Sequence, residues 1–266
     1  MGIAPVAFRS VSAVASPDPL APVLALPGVA EATEAAGAAI AEVHRHRANR
    51  RGFAVSATEA SVRAARASAA LDGGAPELPA QDSDGQVGDP VLAGAVRVAA
   101  ALDGSALVST LEVWRRSPLQ VLARLHLLAA ADIADADSLG RPRAEPGVAD
   151  RLALLAQLIT GGSRVPAAVL AAVVHGELLG LAPFGSGDGV VARAASRLVS
   201  VSTGLDPKNL TVPEVSWMRR PAKYRADAVG FATGGPDGVG AWILSCCLAL
   251  QAGAREATSI ADANNG

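Results

Sequence analysis

Aromatic side chains are scarce in this sequence: one tyrosine, four phenylalanines and three tryptophans make up 3% of its 266 residues. A chain short of aromatics and rich in alanine is a poor strand former. Alanine has the highest helix propensity, so close-packed helices are expected in place of sheets. Lysine occurs only at Lys208 and Lys223, and the formal net charge is −2. No basic stripe is present to neutralise a row of phosphates, which argues against nucleic-acid binding. The local exception is His44, Arg45, His46, Arg47, Arg50 and Arg51. A basic helix C-terminus accounts for it, with an anionic partner as the lesser reading. The only cysteines, Cys246 and Cys247, are adjacent. Neighbours on a helix point apart, so neither a disulfide framework nor a metal site is expected, and buried thiols in a reducing, cytoplasmic compartment are. The N-terminus lacks the charged start and apolar run of a signal peptide. The most apolar stretches, 165–181 and 239–250, are interrupted by His175 and Glu177 or are too short to span a bilayer, so no membrane contact is expected.

Hydrophobic residues make up 50% of the chain, enough for a sizeable core. Residues 1–28 are rich in proline, serine and alanine and read as a loosely ordered arm. A helix is expected over 29–51. A second starts near Thr58, which suits a cap, and stops at Asp72-Gly73-Gly74. After a polar connector at 75–90, helical patterns cover 91–102, 105–114, 118–131, 148–159, 166–181, 190–203, 221–233 and 239–257. A short hairpin is conceivable within 135–147 or 205–216, and residues after Ser259 read as frayed.

The informative stretch is 175–193, HGELLGLAPFGSGDGVVAR: an apolar helix, a proline, an aromatic, a glycine turn and a new helix. Closely spaced glycines at a helix start let backbone N–H groups converge, and with the helix dipole they form an anion cradle. A dinucleotide fingerprint would need a preceding strand, which the pattern does not provide. No Gly-Lys-Ser/Thr follows, so the turn is not a Walker loop either.

At these residues the sequence resembles the Fic family, whose signature is H-x-F-x-D/E-G-N-G-R-x-x-R between two core helices. Phe184, Gly187, Gly189 and Arg193 are kept. Ala182 stands where the family has histidine, Ser186 where it has the acid, Asp188 where it has asparagine and Val190 where it has the first arginine. Gly185 completes the turn. The resemblance extends to the stretch Pro166–His175 of the helix leading into the signature, to Ser117–His126, to Gly140-Arg141-Pro142-Arg143, and to Tyr224, Gly235 and Trp242. Ser68, Asp72 and Gly73 resemble the family's inhibitory motif S/T-x-x-x-E-G/N, with aspartate for glutamate. The resemblance implies an all-α fold, a Fido-type helical domain with an N-terminal helical extension. Residues 1–57 would be arm and helix, 58–258 the Fic-like domain with its inhibitory-like helix at 58–73, and 259–266 a disordered tail.

In active relatives, as the resemblance implies, the histidine is the base that deprotonates a hydroxyl on a target protein. That oxygen then attacks the α-phosphate of ATP. The acid holds magnesium and the first arginine clamps the terminal phosphates. A positioned base supplies roughly 10²–10⁴ in rate, which Ala182 cannot supply. Ser186 is a poor anchor for a hard cation, Val190 cannot clamp, and Asp188 puts a negative charge where phosphate would sit, unless it caps its own helix. His175 lies about two helical turns before Ala182, and both it and His126 read as structural. Arg193 is either a helix-surface partner for a local acid or a phosphate or structural contact. Asp72 reads first as a helix stop, with Arg193 as a possible partner. The expectation is a pseudoenzyme of the Fic type acting through an unidentified protein partner, or as a homodimer, with no cofactor and no metal. The alternative is a residual nucleotide-binding protein or AMP-transferring enzyme using ATP and magnesium.

Overall fold

The computed structural model describes residues 17–77 and 87–264. The arm before residue 17, the centre of the polar connector and the last two residues therefore lie outside the described residues. Among the described residues there are helices and turns and no strand. The helices are α1 (Val29–Arg45), α2 (Arg47–Gly52), α3 (Ala54–Leu71), α4 (Pro90–Ala101), α5 (Gly104–Trp114), α6 (Pro118–Ala130), α7 (Val148–Gln157), α8 (Ala167–Leu181), α9 (Asp188–Ser202), α10 (Pro213–Met218), α11 (Pro221–Ala232) and α12 (Pro236–Ala263).

The pillar of the fold is α8. Residues 168–176 along it are all buried, as a helix with no polar face requires. Leu170, Ala171, Val174, Leu178 and Leu181 face one apolar cluster, shared with α4, α5, α6, α7 and α9. Ala168, Val169, Ala172 and Val173 face a second, shared with α1, α11 and α12. The i, i+3, i+4 spacing of each set places it on one side of the helix. Small residues let neighbouring backbones approach: a Cβ on Gly94 of α4 would collide with the Ala129 carbonyl of α6.

Helix starts follow local chemistry. Pro90 opens α4, and Asp89 caps it by accepting from Leu92 N–H at 2.7 Å. Several boundaries differ from the sequence reading. The helix expected over 29–51 breaks at His46, whose ψ of 135° is extended; Asn49 Nδ2 satisfies the Val43 carbonyl there at 3.0 Å. Thr58 does not cap α3, which starts earlier at Ala54, so the 57/58 boundary falls inside a continuous helix; Thr58 donates instead to Asp103 Oδ2. Residues 17–28 are tied down, with Asp18 accepting from Leu20 N–H, Ser163 Oγ and Arg164 N–H. Pro166 precedes α8 with extended ψ and is not in its first turn. The segments 135–147 and 205–216 hold turns and short helices, not hairpins. Asp206 organises the second by accepting from Leu210 N–H, Thr211 N–H and His44.

The chain does not fray at Ser259. α12 continues to Ala263, with Ile260 and Ala261 buried. At 28 residues it is long and apolar enough to cross a membrane by length and composition, unlike the shorter run read from sequence, and half of its most apolar window is buried inside the protein. Cys246 and Cys247 are both buried in it as free thiols.

Candidate functional site

The glycine turn joins α8 to α9 as the sequence reading requires. α8 ends at Ala182, a non-glycine residue in the left-handed region at φ 43°, ψ 59°. That conformation costs roughly 1–2 kcal/mol for an L-residue, and Arg143 holds it: its Nε donates to the Ala182 carbonyl at 2.9 Å and its Nη2 to the Leu181 carbonyl at 3.0 Å. These bonds satisfy two end carbonyls of α8, and Arg143 also meets Glu145. Phe184 is buried and stacks on the His126 ring, centroids 4.2 Å apart and planes 5° apart. Gly185 and Gly187 take φ of 79° and 63°, and α9 begins at Asp188.

His126 reaches the turn, which the sequence did not reveal. Its Nδ1 accepts from Gly140 N–H at 2.9 Å, so the neutral ring carries its proton on Nε2. That Nε2–H points at Ser186 Oγ, 3.3 Å away. Histidine and hydroxyl are thus paired with the proton on the wrong nitrogen for base catalysis. Burial also holds the His126 pKa below its ordinary value.

Asp188 does not cap its own helix. Its Oδ1 folds back to accept from Phe184 N–H at 2.9 Å, across the turn. Burial pushes this carboxyl from an ordinary 3.8 up to about 6, against the pull of the Phe184 and Gly185 amides. The folded state therefore binds the extra proton between about pH 4 and pH 6, and stability falls as pH rises through that window. Asp188→Asn keeps an acceptor for the amide and has no charge to bury. It is expected to flatten this pH dependence and to stabilise the protein at pH 8 by roughly 1–2 kcal/mol, allowing for partial exposure. Urea unfolding at pH 4 and pH 8 checks it; a variant less stable than its parent at pH 8 contradicts the assignment.

Val190 is buried in the core against α4. Arg193, one turn further on, is 2% exposed and points inward, so it is not a surface arginine. Its Nε donates to Ser68 Oγ at 2.7 Å, its Nη2 to the Ser68 carbonyl at 3.0 Å and to Asp72 Oδ2 at 2.8 Å, and its Nη1 to Tyr224 Oη at 3.3 Å. The two readings of Asp72 both hold. It ends α3 with Gly73 N–H on the Ala70 carbonyl and Gly74 N–H on the Ala69 carbonyl, a Schellman stop. Its carboxylate also lies against Gly189, where any Cβ would collide with it. Tyr224 Oη meets His175 Nε2 at 2.8 Å. His175 is fully buried between Trp217 and Trp242, and burial, then Arg193, keeps its pKa well below the ordinary value.

The structure thus brings Ser68, Asp72, Gly189 and Arg193 together, with Phe184, Gly185, Ser186 and Asp188 beside them. Tyr224, His126 and Arg143 are the participants that sequence spacing did not single out for these contacts. A hollow of about 550 Å³ opens next to the turn, lined by Asp132, Ile133, Asp135, Ser138, Gly185 and Ser186 among others, with no cation in its lining. The cavity beside Arg193 measures about 30 Å³, far below the roughly 300–1,000 Å³ of ligand pockets. No cluster of three metal-ligating side chains exists among the described residues.

No protein-family model matches the sequence, and a search of curated proteins finds no match. Among solved structures, the chain is similar to the crystal structure of a Fic family protein from Desulfovibrio desulfuricans G20. The TM-score is 0.55 at 18% identity, over 88% of this chain and 74% of that one. With helices on both sides of a central α8–turn–α9 unit, the chain has the all-α Fic (Fido) fold.

Proposed function

We propose that this chain is a degenerate member of the Fic family that no longer transfers nucleotides and acts by binding another protein. What carries the reading is that its own carboxylates occupy the amide-rich turn. Asp188 takes the Phe184 amide, and Asp72 sits over Gly189 while bound to Arg193. A triphosphate entering there would meet these charges, and Asp132 and Asp135 in the adjoining hollow, with no clamp at Val190. Like charges near 4 Å repel by several kcal/mol at intermediate dielectric.

The residues present do not fit magnesium-ATP. The position that would anchor the cation is the Ser186 hydroxyl, already engaged by His126 Nε2–H. Asp188 and Asp72 are committed to an amide and a guanidinium, and Asp132, which lines the hollow with Ser186, is paired with Arg97. Ala182 offers no proton acceptor, and His126 presents a proton, not a lone pair. A reducing, cytoplasmic setting belongs to the same reading and rests on the adjacent free thiols Cys246 and Cys247.

Thermal unfolding in the presence of ATP, with and without magnesium, tests it. A ligand at a hundred times its Kd adds about 2.7 kcal/mol, which moves Tm by roughly 5–11 °C in a domain of this size. No shift is expected at millimolar nucleotide. A saturable shift favours the alternative, a residual nucleotide-binding protein. AMP transfer to a hydroxyl-bearing protein, at the rate of an intact Fic enzyme, overturns the proposal.

A further inference from the structure

The basic cluster noted in the sequence is not absorbed by the turn or its surroundings. It forms α2 and the end of α1, about 25 Å along α3 from Asp72. Arg47, Arg50 and Arg51 are exposed, and among the described residues none of them meets a carboxylate. The acids nearby are already engaged: Glu42 by Arg45, Glu59 by Arg63 and Asp262 by His46. Arg47 and Arg51, one turn apart on the same face, flank a hollow of about 480 Å³ whose other walls include Gly52, Val55, Ser56 and Asn264. A second hollow of about 570 Å³ shares Val55 and Asn264 and leads along α3 past Thr58 to Ile260.

Between and beside these hollows stand two uncovered apolar side chains, Phe53 at 41% and Val55 at 65% exposure. Lys208 Nζ sits 5.0 Å from the Phe53 ring centroid and adds a further positive charge. The C-terminal carbonyls of α12 end at this place, and their partial negative charge offsets the mutual repulsion of the arginines when nothing is bound. A protein of net charge −2 thus concentrates, around the exposed Val55, arginines that meet no carboxylate among the described residues.

We propose that this surface docks an acidic segment of a partner protein, with carboxylates on Arg47 and Arg51 and an apolar side chain seated against Val55. Guanidinium forks pair bidentately with carboxylates, and arginine with aromatic residues is the usual make-up of an interface anchor. The patch is too short for a nucleic acid, which needs rows of cations. A six-residue α2 offers no amphipathic face broad enough to lie in a membrane. The proposal specifies the binding surface of a protein-binding protein, and it does not depend on the state of the glycine turn.

The test is fluorescence anisotropy with a labelled short peptide in which glutamates alternate with leucines. Its glutamine counterpart, a short DNA duplex and phosphatidylserine vesicles serve as competing probes. The acidic peptide is expected to bind saturably and to weaken with salt. Arg47→Glu with Arg51→Glu is expected to reduce affinity at least roughly tenfold, and Val55→Ser severalfold. Arg124→Glu, on an exposed part of α6, leaves it unchanged. All these positions are exposed, and circular dichroism confirms that the variants remain folded. Absence of saturable binding, insensitivity to the arginine reversals, equal binding of the glutamine peptide, or tighter binding of DNA or vesicles overturns the proposal. None of these outcomes bears on nucleotide binding, so failure here and failure of the pseudoenzyme reading are separate results.

Discussion

Asp72→Ala is expected to destabilise the protein by about 2–3 kcal/mol, and most of that loss should disappear when Arg193→Met is added. Arg193 is 2% exposed and cannot escape its charge by losing a proton: burial would lower its pKa, but Tyr224 and Asp72 outweigh burial and hold it above the ordinary value. Asp72 supplies the only carboxylate bonded to it among the described residues. Without Asp72, the guanidinium keeps bonds to Ser68 and Tyr224 but has no counter-charge. The Asp72 side chain is 25% exposed, so water relieves part of the penalty and the loss falls just short of the roughly 3–5 kcal/mol of a fully buried broken pair. Asp72→Asn retains an acceptor and should cost about 1 kcal/mol. Equilibrium urea unfolding of the two single variants and the double one gives the coupling energy. Strict additivity would mean that α3 is not held to α9 through this pair.

A larger loss, about 3–5 kcal/mol, is expected for Glu214→Ala. Here both partners are buried. Glu214 accepts from Arg197 Nε at 2.6 Å and from Nη2 at 2.9 Å, a bidentate pair, with side-chain exposures of 10% for Arg197 and 2% for Glu214. Arg197 also donates to Asn209 Oδ1 and to the Thr211 carbonyl, both at 2.8 Å. These bonds fasten the irregular 205–212 segment and α10 to α9. Burial would lower the Arg197 pKa, but Glu214 outweighs it and keeps the group charged, so removing the carboxylate strands a cation in the core. Glu214→Gln preserves one acceptor and should lose about half as much. Arg197→Met with Glu214→Leu should recover most of the stability, since apolar residues of similar volume replace such pairs at little cost. Chemical denaturation with an unchanged m-value checks all three. A loss below about 1 kcal/mol for Glu214→Ala would show that water reaches this pair.

The parts of the fold legible in the sequence were those set by neighbours along the chain. Alanine-rich periodic segments read as helices, and Asp72-Gly73-Gly74 marked a stop whose bonds the structure shows. Boundaries failed where a tertiary contact overrode local preference. Thr58 has the chemistry of a cap, yet it lies inside α3, where its hydroxyl finds Asp103. Ile260 and Ala261 read as part of a fraying tail, yet both are buried and extend α12 to Ala263.

At the candidate site, residue identity alone fixed what is missing. Set beside the Fic signature they resemble, alanine at 182 has no titratable group, valine at 190 has no cation and serine at 186 has no carboxylate, whatever the conformation. What fills the turn was decided by the packing of distant helices. Asp188 could have capped its own helix and instead reached back to Phe184. Ser186 faces His126, 60 residues earlier in the chain, and Asp72 meets Arg193 across 121 residues. Periodicity tells which side of a helix is apolar, because that is a property of consecutive residues. It carries no information on which polar group arrives from another element, because that depends on how α3 and α6 cross the α8–α9 unit.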